Sequence, residues 1–221
     1  MASYVMRFSV RGPVRHLSHL ELMKVFRQAF RRASFPTSFS EGFNPHMKLS
    51  FAIAKGVGLE SLGELLEVEA REPVNQDAAL QQINEALPDG IQVLELRLKD
   101  GSKALSALVD KAMYLIRGDE AALSRAMEQL GREELLWEVR SKKGISQRNL
   151  KDHLSDISRT PEGILLLLDT GSKRNLRVDY LLDCLGGGLS AIRLELWGDD
   201  GPLLDRISRE NGKADEMEVR L

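Results

Sequence analysis

Apolar residues at Tyr4, Met6, Phe8 and Val10 alternate with Val5, Arg7 and Ser9, the period-two pattern of a half-buried strand, which Gly12-Pro13 ends. The period then changes to helical. Ser18 is placed to cap a helix in which Leu22, Phe26, Ala29, Phe30 and Ala33 form one apolar face, while Lys24, Arg27, Gln28 and Arg31 share the opposite side. Leu49, Phe51 and Ile53 predict a second strand, and Leu66, Val68 and Ala70 a third. Asn75 caps a second helix through Leu80, Ile83 and Leu87. Pro88 and Gly90 stop it before the strand-like run Ile91 to Leu98. Leu22, Phe26, Phe30, Leu49, Phe51, Val68, Leu80 and Ile83 are expected to share one core.

The same order recurs downstream. Ala112, Tyr114 and Ile116 predict a strand, Leu123, Ala126, Met127 and Leu130 a helix, and Leu135, Trp137 and Val139 another strand. A polar insertion with a short helix near Ser146 to Leu154 precedes the apolar run Ile164 to Leu168. Val178, Leu181, Leu182 and Leu185 then make a helix ended by Gly186, Gly187 and Gly188, and Ile192, Leu194 and Leu196 close the pattern. The fold class is therefore α+β, as two tandem ferredoxin-like (βαββαβ) units with antiparallel sheets. The units cover 1–100, with the basic helix and the Ser-Glu-Gly-Phe-Asn-Pro loop, and 101–208, with the polar insertion. A polar tail occupies 209–221. Leu105 and Leu108 make the connector itself pack.

Charge and cysteine content narrow the functions open to such a fold. Net charge is −2, yet residues 1–60 hold nine Lys/Arg against three Asp/Glu, while the remaining 161 residues hold 22 against 30. A polyanion is thus expected to bind the N-terminal third. Cys184 is the only cysteine, too few for an intramolecular disulfide, a zinc ribbon or a cysteine-held cluster, and its leucine neighbours suggest an inert buried thiol. No apolar run approaches the ~20 residues of a membrane span, and the start of the chain enters a strand pattern without a signal-like apolar stretch. A cytoplasmic protein without membrane contact is the expectation.

Three segments stand out for chemistry. From Ser38 to Phe51, aromatics interleave with Ser40, Gly42, Asn44, Pro45, His46 and Lys48. Such a loop suits phosphate and unpaired bases, with Phe39 or Phe43 as a stacking surface. The bland alternative makes both phenylalanines core residues and Asn-Pro a turn. Arg15, His16 and His19 lead into the helix bearing Lys24, Arg27 and Arg31, either a solvated face or, with Lys48, one wall of an electropositive groove. Gly171-Ser-Lys-Arg-Asn-Leu-Arg177 before a helix is of anion-binding type, with Ser172, Lys173, Arg174 and Arg177 as donors, but it lacks P-loop and dinucleotide spacing. His19 and His46 are the acid/base candidates. His16 and His19 lack an accompanying carboxylate motif, so no metal site is assigned.

The segments Arg15 to Met23, Phe39 to Ala52 and Gly171 to Arg177 resemble the radical-SAM-linked family of unknown function, whose members are fused to, or encoded beside, cobalamin-binding radical SAM proteins. The resemblance spans roughly residues 3–198. The chain departs from the family's pattern at His16, Glu21, Met47 and Val178, which leaves His19, Ser40, Gly42, Phe43, Asn44, Pro45, Lys48, Ser172, Asn175 and Arg177 as the stronger candidates. The resemblance supplies a context rather than a reaction; joined to the basic N-terminal third and the aromatic-bearing loop, it leads to the expectation of an RNA-binding accessory module, without catalysis or cofactor of its own, presenting tRNA or rRNA to a separate radical SAM enzyme. A metal-independent endoribonuclease resembling CRISPR RNA-processing enzymes, with His19 or His46 as acid/base, and a protein adaptor without nucleic acid are the alternatives.

Overall fold

In the computed structural model, which describes residues 2–99, 101, 103–141, 144–172 and 174–209, the first alternating run is strand β1 (Ala2–Val10). Helix α1 (His19–Arg32) begins at the expected cap. The Glu21 N–H donates to Ser18 Oγ at 3.3 Å and the Ser18 N–H donates to Glu21 Oε2 at 2.8 Å, a capping box that satisfies two otherwise orphaned donors. Strands β2 (Leu49–Phe51) and β3 (Glu60–Ala70), helix α2 (Gln76–Ala86) and strand β4 (Ile91–Leu98) follow. The second half contains β5 (Lys111–Gly118), α3 (Glu120–Leu130), β6 (Leu136–Ser141), β7 (Gly144–Asn149), β8 (Leu154–Thr160), β9 (Gly163–Asp169), α4 (Val178–Leu185), β10 (Leu189–Gly198), β11 (Gly201–Pro202) and α5 (Leu203–Arg209).

The result is a mixed α+β protein with a largely antiparallel sheet, in the order β4-β1-β3-β10-β5-β9-β8, with β2 on β3 and β11 on β10. Among the described residues the one parallel pairing is the seam between the halves, where Ile192 faces Glu60 and Arg193 faces Ser61. Gly63 makes this approach possible, since a Cβ there would lie 2.2 Å from the Leu194 carbonyl oxygen. β10 also explains why β2 stops at Phe51 rather than at the expected Ile53: the remaining part of that β3 edge is taken.

The predicted first core forms. Leu22, Phe26, Phe30, Phe51, Val68 and Ile83 are buried in one cluster, with Leu49 and Leu80 packed partly buried against it. The second cluster joins Ala112, Tyr114 and Ile116 of β5 to Ile164, Leu166 and Leu168 of β9 and to the inner faces of α3 and α4. It also takes in Val5 and Leu65 of the first half and Leu203, Leu204 and Ile207 of α5. Leu105 is buried and Leu108 partly so, as expected of a packed connector.

The insertion differs from the expectation in kind. β6 does not join the main sheet but pairs with β7 (Gly144–Asn149), so residues 146–149 are strand where a helix was expected. Only Leu150–His153 make a helical turn, after which β8 takes the edge position beside β9. Alternating Leu135, Trp137 and Val139 suit any strand, and periodicity does not name the partner. Cys184 is half-buried rather than buried; its thiol points at the Leu136 carbonyl at 3.7 Å, and burial raises its pKa. The tail proposed for 209–221 falls, from residue 210 on, outside the described residues, as does Lys173. Among the described residues no helix is long and apolar enough to cross a membrane.

Candidate functional site

The Ser38–Lys48 segment folds into a hairpin-like loop closed by its own hydrogen bonds. Phe39 bridges Met47, and the Ser40 N–H donates to the His46 carbonyl at 2.8 Å. Ser40 Oγ accepts from the His46 N–H at 3.0 Å and lies 2.8 Å from His46 Nδ1. These contacts fix the base of the loop and leave Gly42, Phe43, Asn44 and Pro45 exposed at its tip, Phe43 completely so. The core reading of Phe43 is thereby excluded. Phe39 is also partly exposed, whereas Met47 is buried and anchors the loop to the first core.

The basic helix is less uniform than its spacing suggests. Lys24 and Arg31 are exposed; Arg27 is half-buried, and its Nε has no partner among the described residues. His19 packs edge-on to Phe51, centroids 5.1 Å apart, with Nδ1 buried and unpartnered. Lys48 is not brought together with Arg27 and Arg31. Phe51 and Leu49 point into the core beneath α1, so Lys48, one residue before Leu49, turns to the other face of the sheet, where it forms an ion pair with Glu69 at 3.0 Å. The predicted groove lined by all three is therefore absent. Arg15 instead joins Glu60 at 3.2 Å, and the Gly12 N–H donates to the same carboxylate at 2.9 Å. That backbone hydrogen bond is the chief cause of the lowered Glu60 pKa, with Arg15 adding to it.

The Gly171–Arg177 loop faces a cleft of about 420 Å³ over the seam. Ser172, Asn175 and Arg177 line one side, Ala52 to Gly56 the other, and Tyr114 and Arg193 rise from the sheet. A Cβ on Gly171 would sit 2.7 Å from the Val109 carbonyl oxygen, so glycine lets the loop lie against the connector. Arg177 donates to Asp179 at 2.6 Å, and its guanidinium lies 5.1 Å from the centre of the Tyr180 ring, which stacks on Trp137. Arg174 pairs with Asp169 at 2.8 Å.

Beneath the cleft lies a buried ion pair. Arg193, 4% exposed, donates through Nη1 to Glu64 at 2.7 Å, and through Nε and Nη2 to the Tyr114 hydroxyl at 3.1 and 3.0 Å. Burial opposes the Arg193 charge, but Glu64 and Tyr114 outweigh it and move its pKa up. Lys55, 5% exposed, donates to the carbonyls of Arg15, Gly56 and Leu59 at 2.7, 2.8 and 3.0 Å. Burial lowers its pKa, with Glu64 acting against that and Arg193 with it. Lys55 thus ties the segment before α1 to the cleft wall opposite the Gly171–Arg177 loop, while no residue of the Ser38–Phe51 segment lines the cleft.

A family model described as an uncharacterized protein conserved in bacteria, DUF2344, matches residues 3–178. The chain belongs to this family. No curated protein matches it. The DUF2344 match covers the hairpin and α1 and ends on the first residue of α4, so Ser172, Asn175 and Arg177 lie inside it. Lys55, Glu64, Thr170 and Arg193 escaped the reading of the sequence. Only Glu64 left a signal there, for it shares the parity of Leu66, Val68 and Ala70, which marks a charged side chain as inward-facing.

Proposed function

We propose that this DUF2344 protein is an RNA-binding accessory module of two ferredoxin-like units that presents tRNA or rRNA to a separate cobalamin-binding radical SAM enzyme. The observation that carries the RNA reading is Phe43, fully exposed at the tip of a loop whose base is fixed by Ser40 and His46. An aromatic ring presented to solvent on a loop with a fixed base offers a stacking surface to an unpaired base. Hydrogen bonds from the Phe35 N–H to Phe30 and from the Ser38 N–H to Glu69 bring the C-terminal end of α1, with exposed Arg31 and Arg32, to the same end of the first half as this loop. Those arginines supply phosphate contacts beside the ring. With one cysteine, the chain leaves any cysteine-held cluster to the partner.

Fluorescence anisotropy with labelled tRNA and rRNA fragments over a salt series tests this reading. Phe43→Ala is expected to weaken binding by ~1–3 kcal/mol with an unchanged salt slope. Arg31→Ala is expected to flatten the log–log slope by roughly 0.7–0.9. Absence of RNA affinity at low salt overturns the proposal; if the radical SAM partner is still captured after nuclease treatment, the protein is an adaptor. RNA cleavage abolished by His46→Ala moves the assignment to the endoribonuclease.

A further inference from the structure

The cleft over the seam holds charge and hydrogen-bonding capacity that the hairpin reading leaves unused. Two of its cations are neutralised locally, Arg193 by Glu64 and Arg177 by Asp179, the one carboxylate on the lining. Lys55 has no such partner in contact: all three of its donors end on backbone carbonyls, and Glu64, which acts on it through space, is already paired with Arg193. Lys55 and Arg193 against Glu64 leave one buried cation in excess, which favours an anion in the cleft.

Two further observations point to the same occupant. Helix α4 starts on the cleft wall at Val178; the Tyr180 N–H donates to the Arg177 carbonyl at 3.1 Å, but Arg177 gives no side-chain cap, so Val178 and Asp179 begin the helix on the cleft lining without a capping side chain. Thr170, on the same wall and 6% exposed, has a buried hydroxyl with no partner among the described residues. A native structure rarely buries a hydroxyl unpaired. Ser172 and Asn175, both exposed, add donors from the loop.

We propose that this cleft binds the phosphate group of a phosphate monoester. Donors approaching from the helix end, the loop and the Arg177 side chain suit the several oxygens of a phosphate better than the two of a carboxylate. A volume of about 420 Å³ also leaves room for an attached group, with Ile53 and Leu176 as apolar lining. The phosphate comes either from a free mononucleotide or from the 5′ end of an RNA.

Calorimetric titrations of the full chain at low salt separate these sources. The probes are AMP, adenosine, and a tetranucleotide with and without a 5′-phosphate, which is too short to require the hairpin. AMP or the phosphorylated tetranucleotide is expected to bind roughly tenfold or more tightly than its unphosphorylated counterpart. Preference for AMP assigns a mononucleotide; preference for the tetranucleotide assigns an RNA end. Arg177→Gln, at an exposed position, is expected to weaken the favoured probe roughly tenfold, both by removing a donor and by freeing the Asp179 carboxylate. Glu133→Gln, at an exposed position outside both the cleft and the hairpin, is expected to leave it unchanged. Equal binding with and without phosphate, no binding of either phosphorylated probe in the millimolar range, or full affinity in Arg177→Gln overturns the proposal.

Discussion

The Ser38–Lys48 hairpin and the Gly171–Arg177 loop are built from the same residue types, Ser, Gly, Asn and a basic side chain, yet one projects and the other lines a hollow. The difference lies in what surrounds them. The hairpin precedes a three-residue edge strand and closes on itself through Ser40 and His46, so its tip meets only solvent. The later loop sits against the connector and over the seam, where Tyr114 of β5 and Arg193 of β10 supply the floor. The shape of a polar loop is therefore set by its neighbours in the fold, and the two loops should respond differently to perturbation.

The largest effect is expected beneath the cleft. Glu64→Gln leaves Arg193 buried without its counterion, which costs ~3–5 kcal/mol in urea denaturation. Glu64→Gln combined with Arg193→Met should recover a good part of that loss. Retention of stability in the single variant would mean that the cleft floor is as independent of the fold as the hairpin tip. Next come two phenylalanines of the first half. Phe26, buried with Phe8 at 4.7 Å and Phe51 at 5.8 Å, is expected to cost ~3–5 kcal/mol on truncation to Ala. Phe43→Ala is expected to stay within about 0.5 kcal/mol of the parent, because nothing packs on it.

Ser40→Ala sharpens the comparison from the hairpin's side. Losing the acceptor for the His46 N–H should cost ~0.5–1.5 kcal/mol locally, seen as faster amide exchange at residues 41–46 without a matching drop in global stability. The smallest effect is a pH dependence. Glu60 has its folded-state pKa lowered, so its contribution is present above the ordinary carboxylate value and disappears as pH falls through the lowered one. Glu60→Gln is expected to flatten the acid limb of a stability–pH profile and to leave the hairpin's exchange rates unchanged.

Local elements were readable because local residues determine them. The Ser18 cap, the Leu22–Phe26–Phe30 face and the Asn75 cap each need only a few neighbouring positions, and each forms as expected. Partner choice needs more. The β6–β7 hairpin has strand periodicity throughout, yet nothing in that periodicity says that β8 and not β6 joins β9. Exposure of Phe43 was one of two readings its composition allowed, and the hydrogen bonds closing the loop decided between them. Arg193 was hidden by a break in alternation. The register shift between Arg193 and Glu195 destroys the parity that would have marked it as inward, and Glu64 lies 129 positions away.

That separation matters on the ribosome. Once Glu64 has emerged, the strand that will neutralise it and occupy the free edge beside Gly63 is still unmade. At synthesis rates of ~5–20 residues per second, the wait is on the order of ten seconds. Throughout it the nascent first half presents an open strand edge and an unmatched acid, and only the arrival of β10 closes both.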